Sequence, residues 1–416
     1  MKKNLVNEYD LLDCVIVHRP DSEHLEMTPK NLNFSDEGNY LLFDDIIDIR
    51  IAQEEHNCFT NIIKKFTGFN KCFELAELLH ETLSKGDSSK RGRFISNYLK
   101  SFGADFDCLT DIEYAYTEKI IEGNDIKKMT NQILRGFFEH SPKPLPNIMF
   151  TRDLGVSIGN SMIITWASNN VRNPENIIAK YIIENHELFS ECNTYDFHKN
   201  HPNLALEGGD ITLINEEIIA IGISERTSRA SVEAITPFLY NNGVKYIMCF
   251  NMPEERRFMH LDTVFSMINK TEAIVSPPFF EEGNSQELKV EIIKISEKGS
   301  LSNSILKASR AFKEIGIGMN LIPCGGNNPT MQEREQWTDG ANAFCLSPGV
   351  IILYDRNPNT LEELKKHGYQ SISADGFLAL KDFNRKQKTV ITIESGELSR
   401  GRGGPRCMTM PINRIK

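Results

Sequence analysis

Five short apolar runs, each broken off by polar, proline or asparagine turn residues, set the strongest limit on how this chain folds. VIV at 15–17 is followed by His18-Arg19-Pro20, and MIITW at 162–166 runs through Asn169, Asn170 and Arg172 into NPENIIAKYIIENH. EIIAIGIS at 217–224 leads through Glu225-Arg226-Thr227 into SRASVEAITPFL, and AIV at 273–275 stops at Ser276-Pro277-Pro278. VIILY at 350–354 leads through Asp355-Arg356-Asn357 into NTLEELKKHG. Short apolar runs bounded by breakers read as strands. The patterns after them have helical spacing, with Asn, Ser or Thr placed to cap the helices. The fold class is α/β. A weak fivefold repeat and ordinary α/β alternation explain these units equally well.

One stretch differs. From about 74 to 140 the strands give way to LAELLHETL, GRFISNYLKSF and DIKKMTNQILRGFFEH, apolar at helical spacing. A helical insert over 74–146 is expected. Pro142, Pro144 and Pro146 would form a stiff linker back to the strand-rich part, leaving 1–73 and 147–416 as the catalytic portion.

The 416 residues are 40% hydrophobic, enough for a sizeable core, and carry a formal charge of −10 with no long Lys/Arg run. Nucleic acid is therefore not an expected partner, and a small cation is a tolerated one. Acidic residues and Arg19-Pro20 interrupt the first apolar stretch before a signal-peptide core can form, and no segment reaches membrane-span length. The expected location is the cytoplasm, without membrane contact. Nine scattered cysteines with no C-x-x-C argue against a disulfide framework or a zinc site.

Four local motifs carry chemistry: Asn147-Ile-Met-Phe-Thr-Arg-Asp153, Glu207-Gly-Gly-Asp210, His260-Leu-Asp262-Thr263, and Arg400-Gly-Arg402-Gly-Gly-Pro-Arg406-Cys407. Cys407 stands in a loop of Arg and Gly, where Arg402 and Arg406 are placed to lower a thiol pKa and glycines admit a ligand to the backbone. If His260 and Asp262 lie on a strand, they face the same side, an imidazole and a carboxylate ready for proton transfer and cation binding. Each motif alone is better read as a buried thiol, a strand end or a plain turn. Together, a Cys, a His and several carboxylates suit nucleophilic attack on a planar cation held by paired hydrogen bonds. Residues alone stop at a Cys-dependent hydrolase or transferase acting on a cationic group, with a thiol protease still open.

In this order, VIVHRP, LLFDD, FTRD, LEGGD, GISERT, MHLDT, SPGV and RCMTMP resemble the arginine deiminase family, one of the guanidine-modifying penteins, over essentially the whole chain. The resemblance implies a five-bladed α/β propeller with a helical insert, and hydrolysis of L-arginine to citrulline and ammonia in arginine catabolism. It implies Cys407 as nucleophile and His260 as acid then base, with Glu207 orienting it. Asp153 and Asp262 would grip the guanidinium, Arg172 and Arg226 would bind the substrate carboxylate, and Asn147 would hold the amino-acid end. Arg402 would close over the substrate from a mobile loop. No metal or cofactor is implied, and a homo-oligomer stays open. Leu154 stands where many relatives have Pro, and Cys324-Gly-Gly-Asn-Asn-Pro matches nothing in the pattern. Amidino transfer, agmatine deimination and a silent arginine-binding effector are the alternatives. Agmatine has no carboxylate for Arg172 and Arg226, and a silent effector would be expected to lack one of the reactive groups.

Overall fold

Each of the five apolar runs is an inner strand of its own sheet. In the computed structural model, which describes residues 4–29, 32, 41–102, 126–136, 144–297 and 299–416, Leu11–Val17 lies between antiparallel Met410–Ile415 and parallel Cys72–Glu74. Ser161–Ile164 lies between Gly155–Ile158 and Asn193–Asp196, and Ile218–Ile223 between Ile211–Leu213 and Tyr246–Asn251. Glu272–Val275 lies between Phe265–Asn269 and Asn320–Pro323, and Val350–Tyr354 between Phe344–Ser347 and Thr389–Ile393. In every case the first neighbour is antiparallel and the second parallel. The parallel return requires a crossover, and helices such as Ile49–Thr67, Asn173–Asn185, Arg229–Asn241 and Pro358–Lys366 supply it. Inner strands covered on both faces become continuously apolar, which is why they stood out in the sequence. Val15, Ile163, Ile219, Ile274 and Ile351 are fully buried. The hairpin of Lys289–Ser296 and Gly299–Lys307 widens the third sheet by pairing with Tyr246–Asn251.

The described residues from 75 to 145 contain the helices Leu75–Lys85, Ser88–Lys100 and Ile126–Arg135 and no strand. These helices share one apolar cluster with Ile16, Met162, Ile164 and Ile178, and Phe94 stacks on Tyr181 with ring centroids 4.2 Å apart. Pro142 and the stretches 103–125 and 137–143 lie outside the described residues. No helix among the described residues is long and apolar enough to cross a membrane.

The expected caps hold in part. Ser228 accepts from Ser231 N as an N-cap. Asn357 occupies the N-cap position but turns its amide to the Thr338 and Tyr354 carbonyls. Asn173 lies inside its helix, where Arg172 is the N-cap residue and directs its side chain to buried carboxylates instead of capping.

Candidate active site

Five turns, one before the outer antiparallel strand of each sheet, bring the reactive residues together. Asp153 belongs to the 3-10 turn Thr151–Leu154, Glu207 and Asp210 flank and close the turn Gly208–Asp210, and His260 and Asp262 come with Leu261–Thr263. Asn342 precedes Phe344–Ser347, and Cys407 precedes Met410–Ile415. Hydrogen bonds join these turns in a closed ring. Gly209 N donates to Asp153 Oδ1 (2.9 Å), and Leu261 N donates to Asp210 Oδ1 (3.0 Å). Asn342 Nδ2 donates to the Asp262 carbonyl (3.0 Å), while Arg406 N and Cys407 N donate to Asn342 Oδ1 (3.0 and 3.2 Å). Arg152 N closes the ring on the Cys407 carbonyl (3.1 Å). Backbone donors taken out of water at these turns thus find partners on the preceding turn of the ring.

Asn147, Asp153, Arg172, Glu207, Arg226, His260, Arg402 and Cys407 line one narrow cavity, together with Leu42, Phe150, Met259, Thr263 and Gly401. Asp262 stands behind that wall, fully buried. Its Oδ2 accepts from Arg406 Nη1 (2.9 Å) and lies 3.6 Å from Cys407 Sγ, while Oδ1 has no hydrogen-bond partner. The expectation that His260 and Asp262 share one strand face is therefore replaced. His260 is extended, Asp262 is in a 3-10 turn, and the two side chains serve different neighbours.

His260 Nε2 lies 2.8 Å from Glu207 Oε2 and 3.9 Å from Asp153 Oδ1. Burial works against a charged imidazole, but Asp153, the bond to Glu207 and the Asp210 charge outweigh it and raise His260 to about 10. Burial works against a charged Glu207 as well. The bond to His260 and the charges of Arg226 and Arg172 nevertheless bring its carboxyl down to about 2. The pair is ionised at neutral pH. Asp153, Glu207 and His260 hold ligand-type atoms within 4.8 Å of one another, a spacing that a metal could use. The same trio, with His260 bonded to Glu207, can also move a proton. Gly209 makes this approach possible. A Cβ there would lie 2.5 Å from His260 Nδ1 and 3.1 Å from Asp153 Oδ1.

The thiol reverses one expectation. Arg406 turns away from the sulfur to bond Asp262, Glu8 (3.1 Å) and the Ile211 carbonyl (2.7 Å). Arg402, at φ 65°, lays its guanidinium 3.3 Å over the Trp337 ring and donates to the Trp337 carbonyl (2.7 Å). Burial, then Asp262, Asp339 and Asp153, push the Cys407 thiol well above its ordinary range. The hydrogen bonds of Arg406 and Arg402 go to other groups, and burial with the nearby carboxylates favours the thiol form of Cys407.

The two arginines expected at the substrate carboxylate differ in kind. Arg172 is already satisfied: Nη1 donates to Asp153 Oδ2 (2.6 Å), Nε to Glu175 Oε2 (2.8 Å) and Nη2 to the Asn147 carbonyl (3.1 Å). Arg226 Nε is buried on the same cavity with no hydrogen-bond partner. The Asn147 amide donates to the Leu41 carbonyl.

Residues 39–414 match the family model described as arginine deiminase. The chain belongs to the arginine deiminase family. It is 32% identical to the arginine deiminase of Clostridium perfringens (strain SM101 / Type A), covering 99% of this chain and 98% of that one. It is 33% identical to the arginine deiminase of Bacillus cereus (strain B4264), with the same coverage. Among solved structures, the dimethylarginine dimethylaminohydrolase of Pseudomonas aeruginosa, in a cysteine-to-serine variant complexed with citrulline, superposes with a TM-score of 0.52 at 13% identity. The match covers 96% of this chain and 99% of that one, so the two share the mixed α/β pentein fold.

In this arginine deiminase family member, sequence reading did not single out Asn342, whose Thr-Asp-Gly-Ala-Asn segment reads as an ordinary turn. Only its position is a signal. Like Asp153, Asp262 and Cys407, it comes two or three residues before the outer antiparallel strand of a sheet. Asp210 was visible only as the end of a Glu-Gly-Gly-Asp turn, yet it receives Leu261 N and Ser224 Oγ (2.6 Å) and helps hold the charge on His260.

Proposed function

We propose that the chain hydrolyses L-arginine to L-citrulline and ammonia, as its family name implies, through an amidino adduct on Cys407. The observation that carries this reading is one cavity shared by the Cys407 thiol, the ionised His260–Glu207 pair and the unpartnered Arg226 cation. Arg226 takes the α-carboxylate, and Arg172, held by Asp153 and Glu175, adds its field from the same wall. Asn147 borders the amino-acid end. Asp153 takes the substrate guanidinium on the cavity wall, and Asp262, behind that wall and 3.6 Å from the sulfur, adds its unpartnered Oδ1 where the guanidinium reaches Cys407. That cation offsets the negative surroundings that keep Cys407 protonated, so substrate entry favours loss of the thiol proton to water and formation of the thiolate.

The thiolate adds to the guanidinium carbon. His260, charged at rest, gives its proton to the departing nitrogen, which leaves as ammonia. Water then adds to the amidino-thioether carbon as neutral His260 takes its proton. Collapse of that adduct expels the thiolate and releases citrulline with one proton, which returns Cys407 to its thiol form. Glu207 keeps the imidazole oriented through both halves, and Arg402 covers the cavity.

We further read the five sheets as the blades of a five-bladed α/β propeller around the ring of turns, with 74–146 as a helical insert and 1–73 and 147–416 as the catalytic part. Supporting this are the antiparallel, inner and parallel strands that all five sheets have in common and the pairing of Leu11–Val17 in the first with Met410–Ile415 from the other end of the chain.

The test is citrulline formation from arginine and agmatine side by side, with rapid quenching and intact-protein mass spectrometry. Arginine is expected to be strongly preferred, and the adduct is expected on the C-terminal peptide. Equal turnover of agmatine would remove the Arg226 assignment. A Cys407→Ser protein within tenfold of wild type would remove the covalent route.

A further inference from the structure

Among the five turns, the fourth supplies an amide where two others supply a carboxylate. Asp153 and Asp210 each use Oδ1 to accept a backbone N–H from the next turn, and each offers Oδ2 to a donor: Arg172 Nη1 at 2.6 Å and Ser224 Oγ at 2.6 Å. Asn342 Oδ1 does the same for Arg406 N and Cys407 N. Its second atom, however, meets two acceptors, the Asp262 carbonyl at 3.0 Å and Cys407 Sγ at 3.2 Å. These four contacts fix the orientation of the amide. Reversed, its NH2 would oppose two N–H groups and its oxygen would oppose a carbonyl and a sulfur. A carboxylate at 342 would place a negative oxygen against the sulfur.

We propose that Asn342 is a catalytic residue, whose Nδ2–H stabilises the Cys407 thiolate while its Oδ1 fixes the backbone that carries the sulfur. Around the sulfur, Asp262, Asp339 and Asp153 oppose a negative charge, and Arg406 and Arg402 favour it from a distance because their hydrogen bonds go elsewhere. The Gly404 backbone also assists. Asn342 is the only side chain among the described residues that donates to Sγ. It is fully buried, so water does not compete for its N–H. Gly404 leaves room for this amide: a Cβ there would come within 2.7 Å of Asn342 Oδ1.

The experiment is iodoacetamide alkylation of Cys407 against pH, followed on the C-terminal peptide, in wild type, Asn342→Ala and Asn342→Asp, with kcat, KM and thermal unfolding measured alongside. Loss of a hydrogen bond to an ion changes the thiolate population about tenfold to a hundredfold. The alkylation midpoint is therefore expected to move up by about one pH unit or more in Asn342→Ala. In that variant kcat should fall about tenfold or more with KM changed less. Asn342→Asp, nearly the same shape but lacking the donor, is expected to shift the midpoint at least as far. A space-filling role predicts the opposite, with the Asp variant close to wild type, and that result would overturn the proposal. So would unmoved midpoints in both variants. If neither variant folds, the Asn342 side-chain amide of wild type decides by nuclear magnetic resonance: its signals should follow the thiol titration, and indifference overturns the proposal. The inference rests on Cys407 being the nucleophile for its effect on kcat alone. The midpoint belongs to the sulfur, so a moved midpoint with unchanged kcat upholds the hydrogen bond but overturns the catalytic role of Asn342, while loss of the nucleophile reading itself is told by the Cys407→Ser protein.

Discussion

The guanidinium of Arg172 donates to the Asp153 carboxylate at 2.6 Å, both groups being buried in the wall of the cavity. All three Arg172 nitrogens have protein partners, whereas Arg226 keeps a buried nitrogen free. Lysine cannot reproduce the fork of a guanidinium. Arg172→Lys is therefore expected to lower unfolding stability by about 2–4 kcal/mol, as breaking part of a buried ion network does. Arg226→Lys should stay within about 1 kcal/mol of wild-type stability but lose arginine affinity by about thirtyfold or more. Denaturant unfolding and arginine titration of both variants check this; equal stability losses would mean that Arg226 too is structural.

The charged His260–Glu207 pair makes stability depend on pH in a definite direction. His260 is raised from its ordinary value to about 10, so its contribution is complete below the unfolded pKa of about 6.5 and is lost as pH rises through about 10. Glu207 is lowered to about 2, so its contribution is present above about 4.5 and is lost as pH falls through about 2. The stability advantage of wild type over His260→Gln should be greatest between about pH 4.5 and 6.5 and shrink toward pH 10. Urea unfolding of both proteins across that range measures it, and a difference that grows with pH would refute the charged resting imidazole.

Because Cys407 rests as a thiol among carboxylates, its reactivity should depend on the charge of what enters. Chloroacetamidine brings a planar cation to Asp153 and Asp262, whereas chloroacetamide is neutral. At neutral pH the amidine is expected to inactivate about a hundredfold faster, after correction for their rates with a free thiol. Arginine should protect against both. Equal corrected rates would count against cation-driven thiolate formation.

Gly209 leaves room for the imidazole. A Cβ there would overlap His260 Nδ1 at 2.5 Å, while one at Gly318 meets nothing within 4 Å. Gly209→Ala should reduce kcat about a hundredfold by displacing His260, and Gly318→Ala should be neutral. Steady-state kinetics with a thermal-unfolding control decides; a fully active Gly209→Ala protein would show that the imidazole position is not critical.

Much of this protein was legible along the chain. The runs VIV, MIITW, EIIAIGIS, AIV and VIILY were readable because an inner strand is apolar on both faces, a local consequence of being covered on both sides. Their outer partners were not. Ser161–Ile164 announces itself, but Asn193–Asp196 (Asn-Thr-Tyr-Asp) has no continuous apolar run, and Met410–Ile415 pairs with Leu11–Val17 across nearly the whole chain. Motif order was enough to name Cys407, His260, Glu207, Asp153 and Asp262 as reactive candidates, because that order carries the resemblance to the arginine deiminase family.

The tertiary structure decided what those groups are to one another. It turned Arg406 from the sulfur to Asp262 and Glu8, placed Arg172 on Asp153 while leaving Arg226 open, and set Asp262 behind the cavity wall. It also brought Asn342 to Cys407 Sγ from a segment with no distinguishing composition. The physical reason is that charge state and hydrogen-bond direction depend on burial and on partners remote in sequence. The sequence by itself determined which strands are buried and which side chains can react; only the folded ring of turns decided which of them carry charge, which are paired, and which are free to meet a substrate.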